Sequence, residues 1–412
     1  MLSKILKPYF QIEKIVLQFI AAEFFIQLVN ASFMMILNIY LSKKGYEDHQ
    51  IADFISLRFL TVMLLAFPLG LFIKGRNLKP LFYIAAIGVF VFSIGILLAA
   101  EFKQIDMIYF SAALWGMCYG IVQVLALPFI IRNASEKTKT AAISLSYATY
   151  SLAMILAGII IFVLNHFNPL YFDEFKCLLL LALLSGISIY FVFKMQQKEV
   201  IPAFEGSRLS LSGFDWGTIA FAMTPSLLLA IGAGLTIPFI NLFFFKVFKM
   251  ESDNFALLNS FSSITVAGAA LLVPHVRAKY GYKIAITRTQ SIAVISLALL
   301  ACTEFYATFE YSLYFAIFFF LIRQPLMNMA APVSSELVMQ YVGPKKQEII
   351  SALTASIWSG SWFFSALIFS VLRKNGFAYA NVFLITAGIY AIAVLWYHFL
   401  IKAHLAKEQI KN

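Results

Sequence analysis

The sequence predicts an all-α membrane protein, with twelve transmembrane helices forming two pseudo-symmetric six-helix bundles, and three observations carry that expectation. The 412 residues are 61% hydrophobic and only 12% charged, against about 45–50% and about 25% in soluble domains. The apolar residues gather in runs long enough for the roughly 20 helical residues that cross a ~30 Å hydrocarbon core. Runs such as LLAFPLGLFI and CLLLLALLSGISIYFVF lack the alternation of barrel strands, so helices must satisfy the backbone inside lipid. Finally, one long polar stretch, Lys194 to Trp216, divides the chain into halves of similar length.

Punctuation by charges, Gly, Pro and Asn places the spans at 15–42, 51–74, 79–101, 107–132, 139–165, 173–195, 216–246, 254–276, 284–303, 309–342, 347–372 and 379–402. The bundles then cover residues 1–195 and 216–412, joined by a cytoplasmic linker loop at 196–215. Lys4, Lys7 and Lys14 precede an apolar stretch that runs to Leu41. That exceeds the 7–15 residues of a signal-peptide core and no small-residue cleavage site follows, so an uncleaved first span is expected.

Span one contains Glu23, Gln27, Asn30, Met34 and Asn38, which at about 100° per residue fall in one sector about 80° wide. Such a face cannot point at lipid. Gln27 and Asn30 are candidates for lining a solute pathway; the alternative is interhelical glue, since buried amides bond neighbouring helices. Glu23 is the one carboxylate well inside the first six spans. An ionised carboxylate at such depth costs on the order of 3 kcal/mol, and loss of water favours its neutral form, so Glu23 is the candidate proton-coupling residue. The alternative is a fixed ion pair with a basic residue. In span two, Asp53 can reach water near the span's end and Arg58 is expected to snorkel to the outer surface, a solute contact being the alternative.

In the second half, Arg323 lies about fourteen residues into span ten, near the midplane, followed by Gln324 and Asn328 at i, i+4. A guanidinium offers a planar fork to a carboxylate or phosphate, so this trio is expected to bind an anionic or strongly polar group of the solute; pairing with an acidic side chain is the alternative. Glu336 sits near the span's end. The halves also repeat each other weakly: Asn38 matches Asn241 at an offset of 203, Pro128 matches Pro332 at 204, and Ser144 matches Ser351 at 207. A nearly constant offset indicates a duplicated six-helix unit, whose copies in transporters share a midplane cavity. Asn241 is a further candidate contact there.

With its six-plus-six layout, long central loop and glycine-containing basic loop between spans two and three, the chain resembles the major facilitator superfamily over essentially its whole length. The family's loop reads G-x-x-x-D-R-x-G-R-K; here it has Gly70, Lys74 at the Asp position, Gly75, Asn77, Leu78 and Lys79. The second copy, PHVRAKYGYK, keeps Lys279, Gly281 and Lys283 but has Pro274 and Ala278 at the Gly and Asp positions. The resemblance implies alternating access, with Gly70, Lys74, Lys79, Lys279, Gly281 and Lys283 in gating turns. The glycines are expected to let backbones approach closely. It also implies a cavity lined by spans four, five and eleven, where Tyr119, Tyr147, Tyr150 and Trp358 lie; packing is the alternative for each. The span-four Arg and the span-five glycine pattern of proton-coupled drug antiporters are missing, since Gly116 and the single Gly158 stand there.

With both termini inside, cytoplasmic segments hold 20 Lys and Arg against 7 outside, and this bias sets orientation. The expected location is the bacterial inner (plasma) membrane. Cys118, Cys177 and Cys302 are odd in number and far apart, and read as small apolar residues. None of the five histidines forms a ligand spacing, so no metal is expected. No phosphate-binding loop or hydrolase signature occurs. The chain is therefore expected to be no enzyme and to need no cofactor. Its partners would be a small-molecule solute, protons and the lipid bilayer, with no nucleic acid, and it would be a monomer. The expected function is secondary transport of a small organic, anionic or amphipathic solute. Lipid or lysolipid flipping and a non-transporting membrane receptor are the alternatives.

Overall fold

The computed structural model describes residues 10–73, 76–135, 138–195, 215–342 and 347–411. The linker at 196–214, together with Lys74 and Gly75, lies outside the described residues. Every regular element described is helical. In the first half these are α1 (Lys14–Ser32), a π segment (Phe33–Leu37), α2 (Asn38–Lys43), α3 (Asp48–Phe72), α4 (Lys79–Glu101), α5 (Ile105–Asn133), α6 (Lys139–Phe167), α7 (Glu174–Ser185) and α8 (Ile187–Lys194). The second half has α9 (Trp216–Thr236), a 3₁₀ turn (Ile237–Phe239), α10 (Ile240–Phe248), α11 (Ser252–Tyr282), a π segment (Lys283–Arg288), α12 (Thr289–Cys302), a 3₁₀ turn (Thr303–Tyr306), α13 (Ser312–Val342), α14 (Gln347–Lys374) and α15 (Tyr379–Lys411). Ten helical segments among the described residues are long and apolar enough to cross a membrane. The two further expected spans are also helical, in α11 and α14.

Local chemistry explains the starts and breaks. Asp173 and Asp215 cap α7 and α9 by accepting from the backbone N–H of Lys176 (2.9 Å) and Thr218 (3.1 Å), which satisfies donors that a helix start leaves open. Pro80 opens α4 at a position where a missing N–H costs nothing. Pro238, by contrast, falls inside expected span seven and coincides with the 3₁₀ turn that separates α9 from α10.

Two compact units emerge. Unit 1 comprises Met1–Glu47, Asp53–Ser210 and Glu251–Ser260; unit 2 comprises Asp48–Ala52, Leu211–Met250 and Phe261–Asn412. Within unit 1, α1 packs on α6, α7 and α8, while α4 packs on α5, α7 and α8. Within unit 2, α9 packs on α14 and α15, while α12 packs on α13 and α15. These are the same pairings one repeat further along, as a duplicated six-helix unit requires.

Small residues set the closest approaches. A Cβ at Gly88 of α4 would lie 2.2 Å from Cys118 Sγ of α5, so the buried Cys118 fills the space that glycine leaves. A Cβ at Gly116 would lie 2.4 Å from the Arg58 carbonyl oxygen. The expected close approach at Gly70 is not found, since a Cβ there meets nothing within 4 Å. Gly281 is likewise uncrowded, but its φ of +71° is the left-handed backbone that glycine adopts without strain. The expected loop between spans eight and nine is also corrected: Arg277 and Lys279 belong to α11, and the chain reverses only at Gly281.

Candidate functional site

In unit 1 the polar face of α1 is buried and hydrogen-bonded to α3, α5 and α6. Arg58 fixes the direction of its hydrogen bonds, because a guanidinium can only donate. Its Nη2 donates to Asn30 Oδ1 at 2.6 Å, so the Asn30 amide N–H₂ faces the other way and donates to Gln27 Oε1 at 3.2 Å. The Tyr119 hydroxyl of α5 donates to the same Gln27 oxygen at 2.9 Å. One turn earlier, Glu23 Oε2 accepts from Ser146 Oγ of α6 at 2.6 Å. Among the described residues no cation lies within ion-pair distance of Glu23, so the fixed ion pair is not formed there.

Arg58 does not snorkel. It is 6% exposed and ten residues into α3, about 15 Å along the helix axis. Its guanidinium lies over the Trp115 ring at 4.1 Å, with Tyr119 at 5.5 Å, and Trp115 and Tyr119 stack with planes 1° apart. Nη1 reaches Met34 Sδ at 3.6 Å, while the buried Nε makes no hydrogen bond. No carboxylate among the described residues pairs with it. The reason lies on α5: two aromatic faces, one helical turn apart, stabilise the cation inside the bundle and remove the need to reach the surface.

Glu23 and Gln27 open onto a cavity of about 230 Å³, also lined by Gln123, Ser146, Tyr147 and Tyr150, with Ile130 and Ile143 among its apolar walls. Unit 1 thus brings Glu23, Gln27, Asn30, Tyr119, Tyr147 and Tyr150 into one connected region. Arg58, Ser146 and Gln123 escaped the reading as site residues. Gln123 follows Tyr119 at i+4, a spacing that puts both on one face. Ser146 carries no such signal, because helices accept serine freely.

Unit 2 has its own buried guanidinium. Arg323, 1% exposed, donates from Nη1 to Gln324 Oε1 at 3.2 Å. Tyr390 of α15 lies beside it, yet Nε and Nη2 make no hydrogen bond of good geometry. No carboxylate among the described residues pairs with Arg323. Asn328 is exposed and donates to the Gln324 carbonyl of its own helix at 2.8 Å, so it does not join the guanidinium. Asn241 is buried at the start of α10, accepting from the Leu242 N–H at 2.8 Å. Trp358 is exposed on α14.

The turns at the helix ends are tied down differently in each unit. Lys79 donates to the Met195 carbonyl at 2.5 Å, and Arg132 holds the carbonyls of Ile73 and Arg76 at 3.1 Å each. In unit 2, Glu336 accepts from Arg277 at 3.4 Å and from the Tyr282 hydroxyl at 2.9 Å. Lys279 is exposed and Lys283 opens the π segment.

The sequence profile of the Major Facilitator Superfamily matches residues 19–366. The chain belongs to the major facilitator superfamily. No relative is found among curated proteins. Among solved structures, this superfamily member is similar to the nucleoside transporter NupG, with a TM-score of 0.71 and 16% identity over 95% of this chain and 100% of that one. A D-xylose–proton symporter gives 0.70 and 15%, covering 94% and 96%. A bacterial homologue of the iron transporter ferroportin, in an inward-facing state, gives 0.72 and 12%, covering 95% and 98%. At such identities the likeness is one of fold. Membership makes the chain a multi-pass membrane protein of a secondary-transporter family.

Proposed function

We propose that the chain moves a small organic solute across the bacterial inner membrane by alternating access, both termini cytoplasmic, and couples the movement to protons through Glu23. The observation that carries this reading is a carboxylate held by one hydroxyl, without a cation among the described residues, on the wall of a cavity. Such a group exchanges a proton with whichever side the cavity opens to, since loss of water favours the neutral acid. The cavity is below the roughly 300–1,000 Å³ typical of drug-sized sites, which suits a small solute. Gln27, Asn30 and Tyr119 supply hydrogen bonds and Tyr147 and Tyr150 aromatic walls; within unit 2, Arg323 with Gln324 is a separate candidate polar contact.

A thermal-shift screen against metabolites would supply the solute, because a ligand that binds only the folded state raises its stability. Uptake into proteoliposomes then tests coupling. Glu23→Gln imitates the protonated acid, so uphill uptake driven by a pH gradient should fall at least about tenfold, while downhill exchange persists. Uphill uptake that follows the gradient as in wild type would overturn the coupling. Binding without flux would assign the chain to reception.

A further inference from the structure

We propose that Arg58, Asn30 and Tyr119 form the receptor for the carboxylate of a small organic monocarboxylate, and that Gln27 Oε1 marks the place its oxygen takes. The proposal rests on the reading of the unit 1 cavity as the solute site and names the chemistry it recognises.

The geometry is that of an oxyanion position filled by a neutral surrogate. Two donors on different helices, Asn30 Nδ2 and the Tyr119 hydroxyl, converge on the one amide oxygen of Gln27. That orientation is forced from behind, because Arg58 turns the Asn30 oxygen towards itself. The donors are therefore preorganised for an acceptor. Gln27 also lines the cavity, and through Asn30 it links that volume to the guanidinium. Swinging its side chain aside would expose Asn30, Tyr119 and Arg58 to an incoming solute. The guanidinium has capacity left, since Nε is buried without a partner and no described carboxylate neutralises it. A buried cation in that condition favours a mobile counter-anion.

The charge count limits the ligand. One guanidinium balances one negative charge, and no cation is among the described residues that line the cavity. A phosphate group, at about −1.5 to −2 near neutral pH, is poorly matched, whereas a carboxylate matches. The apolar and aromatic walls at Ile130, Ile143, Tyr147 and Tyr150 suit an apolar or aromatic body behind it.

The test uses the purified full-length protein at pH 7.5 with benzoate, its neutral isostere benzamide, and inorganic phosphate. Binding is read by tryptophan fluorescence, since Trp115 lies under the guanidinium, and by thermal shift. Benzoate should produce a saturable response in the millimolar range or below, while benzamide and phosphate should be at least about tenfold weaker. Arg58→Lys should weaken benzoate, but it also alters a buried site. The decisive variant is Asn30→Asp, which places a carboxylate against the guanidinium within the same shape. It should melt at or above the wild-type temperature and lose the benzoate response. The proposal is overturned by Asn30→Asp binding benzoate as wild type does, by equal responses to benzamide, by an Arg58-dependent preference for phosphate, or by no benzoate response at tens of millimolar. Binding of neutral solutes with flux would leave transport standing and remove the carboxylate site. Arg58-dependent benzoate binding without benzoate flux would do the reverse.

Discussion

Arg58 and Arg323 are both buried about ten residues into their helices, and neither meets a carboxylate among the described residues. For Arg323, Nε and Nη2 make no hydrogen bond of good geometry, and a lysine would keep the charge but not the planar fork. Arg323→Lys should lower solute uptake at least about tenfold, and Arg323→Gln at least as much; wild-type uptake by both would make the residue idle. Glu13 lies outside the spans, just before α1. Burial pulls its carboxyl upward, but hydrogen bonds from Thr138 and the Ser135 N–H outweigh this and hold it below its ordinary 4.5. A depressed carboxyl stabilises the fold above its unfolded value and loses that contribution as pH falls through the folded one. Glu13→Gln should therefore cost about 1 kcal/mol near neutrality, a gap in melting temperature that closes below pH 4.5. A gap constant with pH would mean that shape, not charge, matters there. At this scale the sequence revealed Glu23, Gln27 and Asn30 because three polar residues on one apolar helix leave a periodic trace. Arg58 was misplaced because its depth depends on α3 starting at Asp48, and its stability on rings that another helix supplies.

The helix α5 fits against α3 only because residue 116 has no side chain. A Cβ there meets the Arg58 carbonyl at 2.4 Å and Thr61 Oγ1 at 2.6 Å, and backbone cannot yield as a flexible side chain can. Gly116→Val should cost about 1–3 kcal/mol and displace Arg58, whereas Gly70→Ala, with open space around it, should melt like wild type. Melting curves of both variants in detergent check this, and equal curves would show that the α3–α5 contact is looser than its geometry. The glycine that stands where drug antiporters carry arginine is thus a packing residue beside Arg58 of α3. Other element-scale features follow the repeat. Arg132 and Glu336 are separated by the same 204 positions as Pro128 and Pro332; Arg132 holds the carbonyls of Ile73 and Arg76, while Glu336, of opposite charge, accepts from Arg277 of α11. Helix positions were legible from hydropathy, while the π segment at Phe33–Leu37 was not. Extra-wide turns depend on packing, and beyond that segment Asn38 no longer follows the 100° count.

For the molecule as a whole, the duplicated unit was legible in a few matches at constant offset, and the repeated helix pairings carry it into three dimensions. Orientation across the membrane is an expectation from charge: 20 Lys and Arg fall on the side of the termini and 7 on the other, and basic residues near span ends resist translocation. The bias is spread over many loops, so no single residue decides it. Six spans before the linker bring Ser207 to the side of the N-terminus, and that side is expected to be cytoplasmic. A Ser207→Cys variant, with Cys118, Cys177 and Cys302 replaced by alanine, should resist an impermeant thiol reagent added to intact cells and react once the membrane is opened. A cysteine at Lys103, in the turn between α4 and α5, should show the opposite pattern. Rapid labelling at 207 from outside would invert the protein, and Glu23 would then exchange its proton with the other compartment first.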